Sequence, residues 1–234
     1  MLVMAVYQRP PKLSESIAQQ LKDDIIKGIY LPGERLKIIE IARRFGVSQT
    51  SVREALKILE KSDLVSESPH KGYVVTNLTL DELVDIWTIK EKLWSLAFAW
   101  FTERADKELI KDAEKWVSEF RNAYIENDLD RAFEANFAFT DVILAGCGSR
   151  KLVTLLRSIE DQVKRYRYLS LEFDDNLKVS SQYFGEIIKA IWIRDSKKVS
   201  TMIQEYIRFS QKVLKENYKY MQEKSKEKMR KEQL

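Results

Sequence analysis

Apolar residues recur at helical spacing through most of the chain, beginning with the segment KLSESIAQQLKDDIIKGIY. Its apolar positions are Ile17, Leu21, Ile25 and Ile26. Ser14 is a candidate N-cap for this helix, and the helical pattern stops at Gly28. A Pro-Gly turn in LPGERL then precedes a short second helix, IIEIARRFG, which ends at Gly46.

A third helix follows, with Ser48 as its predicted N-cap. Its predicted buried face consists of Val52, Ala55, Leu56 and Leu59. The opposite face is polar, with Gln49, Arg53 and Lys57 at steps of four and Thr50 and Ser51 on the first turn. This polar helix start is either a surface for a partner or an ordinary solvated one.

Beyond the third helix, the runs LVSE and YVVT favour two short strands joined by a turn that contains Pro69 and Gly72. Three short helices followed by a hairpin is the order of a winged helix-turn-helix. In that motif the first residues of the third helix face base edges in the DNA major groove. Residues 1–76 carry 12 basic and nine acidic residues, a net charge of +3, which allows a polyanionic partner without proving one.

The rest of the chain contains no proline and is predicted to be a succession of helices that form an antiparallel bundle. The fold class is therefore mainly α: an N-terminal winged helix-turn-helix with a small β-hairpin wing, then an all-α bundle. We predict a DNA-binding domain at 1–76, a linker at 77–80, a helical domain at 81–221 and a charged tail at 222–234. The tail is expected to extend the last helix or to fray.

Composition excludes several classes of protein. One cysteine, Cys147, and one histidine, His70, leave no disulfide framework and no multi-histidine metal site. We find no paired nucleophile and base and no phosphate-binding glycine loop, so we predict that the chain is not an enzyme and needs no cofactor. No apolar run reaches the ~18 residues of a membrane span, and the opening residues lack a signal-peptide pattern, so we expect a cytoplasmic protein without a membrane partner.

The segments LPGERL, IARRFGVSQTSVREALKILEKSDLV and HKGYVV resemble the DNA-binding domain of GntR-type bacterial transcription regulators. The resemblance implies contact with operator DNA by the helical side and the wing. The implied residues are Arg35, Arg43, Gln49, Thr50, Ser51, Arg53, Lys57, His70, Lys71 and Gly72. Gln49 departs from the family, which usually has arginine there; glutamine pairs with adenine, whereas arginine favours guanine.

The helix order of residues 81–215 resembles the FadR-type (FCD) domain, which dimerises and senses ligands. Many relatives hold a divalent metal there through an aspartate and three histidines. The corresponding positions here are Asn136, Thr140, Phe184 and Tyr206, which are poor ligands, so we predict that this metal site is absent.

The same four residues would instead line a cavity for a small organic effector, with Arg165 as a further contributor. Lys90 falls where relatives often carry an arginine that grips an acid, so an acidic effector is one possibility. The alternative is a filled core without an effector.

The resulting hypothesis is a homodimeric regulator, with repression as its expected action on operator DNA. A protein-binding or architectural module is the rival interpretation. The sequence leaves the effector, the operator and the direction of control open.

Overall fold

The computed structural model describes residues 12–69, 72–170 and 173–231. The chain divides into two compact units, the first ending at Asn77 and the second beginning at Leu78. The first combines three helices with a two-stranded sheet, and the described part of the second is entirely helical outside its turns. The predicted fold class is therefore confirmed.

The first unit contains α1 (Leu13–Ile26), α2 (Ile38–Phe45) and α3 (Gln49–Glu60). The predicted buried face of α3 is the observed one, and it packs against α1 around Leu21. The prediction for Ser14 is wrong, since Ser14 is buried in the first turn of α1. The N-cap is Lys12, whose backbone N–H donates to the carboxylate of Glu15 at 3.0 Å.

An ion pair with a buried carboxylate links α2 to α1. The carboxylate of Asp24, 2% exposed, accepts from Nη1 of Arg44 at 2.7 Å and from the amide of Gln20 at 3.3 Å. The guanidinium of Arg44 also donates to the hydroxyl of Tyr30 at 3.3 Å and lies 5.1 Å from the ring centre of Phe45. Arg44 is therefore committed to the fold, unlike its neighbour Arg43.

The hairpin consists of β1 (Val65–Ser68) and β2 (Gly72–Val75), paired antiparallel from Val65↔Val75 to Ser68↔Gly72. A third segment, which the sequence did not indicate, joins it: Arg35 forms an isolated bridge with Val74. The backbone N–H of Leu36 donates to Tyr73 O and that of Val75 donates to Glu34 O, each at 2.9 Å. The residues before α2 are thus hydrogen-bonded to the wing.

The second unit contains α4 (Leu80–Arg104), α5 (Lys107–Ile125), α6 (Leu129–Gly146), α7 (Arg150–Ser170), α8 (Asp174–Trp192) and α9 (Ser196–Lys231). The N-caps of α4, α5 and α6 are Thr79, Asp106 and Asp128, and each of their side chains accepts a backbone N–H of the first turn. Helix α9 continues through most of the predicted tail, so the tail extends the last helix.

Aromatic side chains fill the centre of the bundle. The rings of Phe98 and Phe139 lie 5.6 Å apart, those of Phe139 and Phe184 5.3 Å, and those of Phe184 and Phe120 5.0 Å. Arg208 on α9 forms a two-pronged ion pair with Glu91 on α4, at 3.0 and 2.7 Å, along the most extensive helix contact. Within the described ranges, no helix is long and apolar enough to cross a membrane.

Candidate functional site

The start of α3 presents an exposed polar surface. The hydroxyl of Ser48 accepts the backbone N–H of Ser51 at 3.1 Å, which fixes the first turn. The side chains of Gln49, Thr50 and Arg53 are exposed. Ser51 is half-buried and its hydroxyl lies 2.9 Å from that of Ser48, so it is part of the cap. Gln49, Thr50 and Arg53 are therefore accessible to a partner, and Ser51 stabilises the helix turn that carries them.

The winged unit carries exposed cations on α2, on α3 and in the segment before α2. Arg35, Arg43, Arg53 and Lys57 are all exposed, and none forms an ion pair within the described part of the chain. An unpaired guanidinium or ammonium group has its full hydrogen-bonding capacity available for phosphate oxygens. The sequence thus contains both kinds of arginine side by side: Arg43 makes no ion pair among the described residues, and Arg44 is engaged with the buried carboxylate of Asp24.

A groove runs between α3 and the hairpin. It is lined by Thr50, Arg53, Glu54, Lys57, Glu67 and Tyr73. The two carboxylates were not predicted as site residues. Glu54 directly follows Arg53 in the chain, whereas Glu67 belongs to β1 and no sequence pattern places it beside α3. Gly72 is exposed at the start of β2 with a φ of 72°, a conformation that favours glycine. The predicted wing residues His70 and Lys71 lie outside the described residues.

The helical unit encloses a cavity of about 50 Å³, enough for roughly four water-sized groups. Its lining includes five of the six predicted effector residues: Lys90, Asn136, Thr140, Phe184 and Tyr206. Arg165 does not line it, and Arg167 does. Side chains two positions apart on a helix point in directions that differ by ~200°, so Arg165 and Arg167 face opposite sides of α7. The expectation for Arg165 is therefore corrected to Arg167.

Part of the cavity lining is cationic. The carboxylate of Glu160, which does not line the cavity, accepts hydrogen bonds from three groups that belong to lining residues. These are Nζ of Lys90 at 2.7 Å, Nε1 of Trp94 at 2.6 Å and Nη1 of Arg167 at 3.2 Å. Arg167 also donates to Oδ1 of Asn136, and its guanidinium lies 4.9 Å from the ring centre of Phe137. Two cations share one carboxylate here, which leaves an excess of positive charge.

The pKa values follow from this arrangement. Burial lowers the pKa of Lys90 to about 8, although Glu160 opposes the change. Burial by itself would raise the pKa of Glu160, but the charges of Lys90 and Arg167 and the hydrogen bonds from Lys90 and Trp94 lower it to about 2. Glu160 is therefore ionised at neutral pH.

Another part of the lining is neutral and polar. The amide of Asn176 donates to the backbone carbonyl of Ser170 at 2.8 Å, and the hydroxyl of Ser180 donates to Oδ1 of Asn176 at 3.3 Å. The hydroxyls of Ser180 and Tyr206 are 3.2 Å apart. A ligand in this cavity would meet cations, hydroxyl groups and aromatic rings.

The four positions that correspond to metal ligands in relatives do not suit a metal here. The ring of Phe184 has no donor atom, the hydroxyl of Thr140 donates to the carbonyls of Asn136 and Phe137, and Oδ1 of Asn136 is bonded to the cationic Arg167. In the described ranges, no three or more His, Cys, Asp or Glu residues are grouped so that they could hold a metal ion.

A winged-helix unit with an exposed cationic helix start, followed by a helical unit with a charged cavity, defines a two-domain transcription regulator. The chain belongs to the GntR family: the model of "Bacterial regulatory proteins, gntR family" matches residues 13–75 and that of the FCD domain matches residues 85–209. The predicted family is thereby confirmed. Its members are DNA-binding transcription regulators and not enzymes.

Individual relatives agree with this assignment. The chain is 30% identical to an uncharacterized HTH-type transcriptional regulator, YdhC of Bacillus subtilis, over 73% of this chain and 78% of the relative. It is 27% identical to the HTH-type transcriptional repressor GlaR of Escherichia coli, over 80% and 89%. The solved structure of E. coli McbR/YncC has the same fold, with a TM-score of 0.79 and 20% identity over 89% of this chain and 99% of that one.

Proposed function

We propose that this regulator is a homodimeric repressor whose operator affinity responds to a small organic acid bound in the helical unit without a metal. The observation that carries the DNA-binding part is the exposed helix start, where the readers and the nearby cations make no ion pairs among the described residues. The cavity, with its excess positive charge, supports the effector and argues against a filled core.

In this proposal Gln49, Thr50 and Arg53 read base edges in the major groove, and Gln49 pairs with adenine. Ser51 holds the cap that orients them. The phosphate contacts come from Arg35, Arg43 and Lys57, and the wing contributes Gly72 together with His70 and Lys71. The net affinity should fall steeply with salt, because each phosphate contact releases counterions.

The Arg53→Ala variant tests the helical contact. Loss of a base-reading arginine costs ~1–3 kcal/mol, so binding to a duplex selected by the wild type should weaken about tenfold to 100-fold and discriminate less between sequences. Fluorescence anisotropy against selected and scrambled duplexes measures both effects. Lys61→Ala, an exposed cation at the other end of the same helix, is the matched control and should bind nearly as the wild type does. Unchanged affinity in Arg53→Ala would contradict the assignment.

The dimer surface is assigned to a stripe of apolar residues on α4, consisting of Ile86, Ile89, Leu93, Leu96 and Trp100. These residues alternate at steps of three and four, which is the spacing of a seam between two helices. Ile89 is 50% exposed and Leu96 39% exposed, and the other three are half-buried. The stripe is about 21 Å long. A second copy of the same stripe is its natural partner, because a two-fold axis brings identical surfaces together.

The Leu96→Glu variant should convert the dimer to a monomer, since two carboxylates would meet at the seam. Light scattering after size-exclusion chromatography gives the mass directly. Ile125→Glu is the control: Ile125 is 68% exposed at the end of α5, outside the stripe, and its substitution should leave the dimer intact. A dimeric Leu96→Glu protein would exclude this surface.

The effector is proposed to place its carboxylate against Arg167 and Lys90 and its hydroxyl groups against Tyr206 and Asn176. Arg167 fits this role because its guanidinium is fixed by hydrogen bonds to Glu160 and Asn136 and lies over the ring of Phe137. Protein purified without a chelator, then denatured and extracted, should release an organic acid detected by mass spectrometry, and metal analysis of the same preparation should find no stoichiometric divalent metal.

Arg167→Met should release far less of this acid, whereas Arg157→Met, an exposed position on the same helix, should release the normal amount. Stoichiometric metal in the wild type, or equal release from both variants, would refute the effector proposal.

A further inference from the structure

We propose that Tyr166 and Tyr218 are positioning residues for DNA binding: together they clasp Leu78 and set the direction in which the chain leaves the helical unit towards the winged unit. This inference rests on the proposed function, because it concerns a dimer that places two winged units on one duplex. The residues Leu78, Tyr166 and Tyr218 are called the clasp below.

Both backbone polar groups of Leu78, the first residue of the helical unit, are hydrogen-bonded within the clasp. The backbone N–H of Leu78 donates to the hydroxyl of Tyr166 at 3.2 Å, and the hydroxyl of Tyr218 donates to Leu78 O at 2.9 Å. The hydroxyl of Tyr166 also lies 3.5 Å from Leu78 O, and the amide of Gln222 donates to Tyr218 at 3.1 Å. The two rings belong to α7 and α9, so three separate parts of the unit meet at this residue.

Burial holds Tyr166 in place within the clasp. Tyr166 is only 4% exposed, and burial raises its pKa to about 12, so its hydroxyl keeps its proton at any physiological pH. The side chain of Leu78 packs against the main core. Directly afterwards, the Thr79 hydroxyl accepts the N–H of Glu82 at 3.3 Å while the Glu82 carboxylate accepts the N–H of Thr79 at 2.7 Å, which fixes the start of α4.

A clasp residue and a cavity-lining residue are also neighbours in the sequence. Tyr166 precedes Arg167, the cation that lines the cavity and bonds Asn136 and Glu160. Glu160 in turn holds Lys90 of α4, the helix that begins at the clasp. A ligand that draws Arg167 or Lys90 away from Glu160 therefore acts on α7, which carries Tyr166, and on α4, which begins just after Leu78. The clasp is the place where cavity occupancy can alter the exit direction of the chain.

A fixed exit direction has a measurable consequence. If both winged units leave a symmetric dimer along set directions, only one separation of half-sites lets both bind together. Releasing the clasp should let the units reach other separations and should weaken the preference for the best one. A merely structural role for the two tyrosines would lower stability without changing this preference.

The test uses the full-length dimer and palindromic duplexes built from the half-site that the wild type selects from a random library. The spacer is lengthened in single base-pair steps to about five base pairs, half a helical turn. We expect the wild type to prefer its best spacing by about 100-fold and the double variant Tyr166→Phe/Tyr218→Phe by less than about tenfold, because single-site binding then competes with bivalent binding. Phenylalanine keeps the ring packing, so light scattering should still give a dimer and circular dichroism an unchanged helix content.

Tyr168→Phe is the matched control. Tyr168 lies on the same helix, but its hydroxyl donates to Asp130 at 2.8 Å, away from the clasp, so this variant should keep the wild-type spacing preference. Glu160→Gln, which loosens the cavity end of α7, should reduce the preference partly.

The clasp proposal is overturned if the double variant keeps the full preference, if Tyr168→Phe loses it equally, or if the wild type has none. Unchanged preference in Glu160→Gln would overturn the link to the cavity. By contrast, a wild type that binds a single half-site as tightly as any palindrome contradicts the proposed dimeric function itself.

Discussion

Replacing Glu160 by glutamine should destabilise the helical unit by about 3 kcal/mol at pH 7. The magnitude follows from the pKa of Glu160, which is lowered from 4.5 to about 2, since each pH unit of difference corresponds to ~1.4 kcal/mol. It also agrees with the ~3–5 kcal/mol expected when one partner of a buried ion pair is removed. Glutamine is nearly isosteric and can still accept from Trp94, so the substitution removes charge and little else.

The sign of the pH dependence makes this prediction specific. The pKa of Glu160 is depressed in the folded state, so its contribution is fully present above pH 4.5 and is lost as the pH falls towards 2. The difference in unfolding free energy between wild type and Glu160→Gln should therefore be constant from pH 7 to about 5 and should shrink steadily below that.

Urea unfolding followed by tryptophan fluorescence measures this difference, because all five tryptophans lie in the helical unit. Glu103→Gln is the control: Glu103 is exposed at the end of α4, and its loss should change stability by less than about 0.5 kcal/mol. A Glu160→Gln protein as stable as the wild type at pH 7, or a difference that persists at pH 3, would refute the account of this ion-pair cluster.

Three further predictions concern single side chains. The pKa of Lys90 is lowered to about 8, so burial of its charged form opposes folding most at low pH. Relative to Lys90→Met, the wild type should gain stability as the pH rises from about 8 to 10.5. Urea unfolding at several pH values measures this slope, and a slope of the opposite sign would contradict the prediction. Gly146→Ala should lower the free energy of unfolding by ~1–3 kcal/mol, because an added Cβ would lie 2.6 Å from the ring of Phe101. Gly185→Ala in α8 places its Cβ where nothing lies within 4 Å and should raise the free energy of unfolding by ~0.5–1 kcal/mol. The melting temperatures of the two variants should therefore change in opposite directions. Ser48→Ala should cost about 1 kcal/mol by removing the cap of α3, and it should also weaken operator binding because the first turn frays; normal stability with normal binding would contradict the role of this cap.

Short-range patterns predicted the winged unit well. The buried and exposed faces of α3 follow directly from steps of three and four, and Gly46, in the left-handed conformation, ends α2 as expected. The bridge between Arg35 and Val74 could not be predicted in this way, because it joins residues that are distant in the chain and carries no period of its own. The position of Glu67 beside Arg53 was missed for the same reason, whereas Glu54 directly follows Arg53 in the chain and was overlooked.

The cavity illustrates a different limit. Lys90, Asn136, Thr140, Phe184 and Tyr206 were placed by resemblance to the FCD domain, and all five line the same space. The choice of Arg165 over Arg167 depended on the rotation of α7, and an error of two residues turns a side chain to the far face of a helix. Ion pairs such as Lys90 with Glu160 link helices that are 70 residues apart, and a single sequence contains no signal of that pairing.

The backbone bridge at Arg35 limits where this protein can change length. An inserted or deleted residue between Gly33 and Leu36 would shift the register against β2 by one and turn the guanidinium to the opposite side of the sheet. Additional residues between Ser68 and Gly72 would leave every pair of the hairpin in place. Natural variants of this regulator should therefore tolerate insertions at the wing tip and almost none in LPGERL, which a collection of aligned sequences would reveal as gaps confined to one loop.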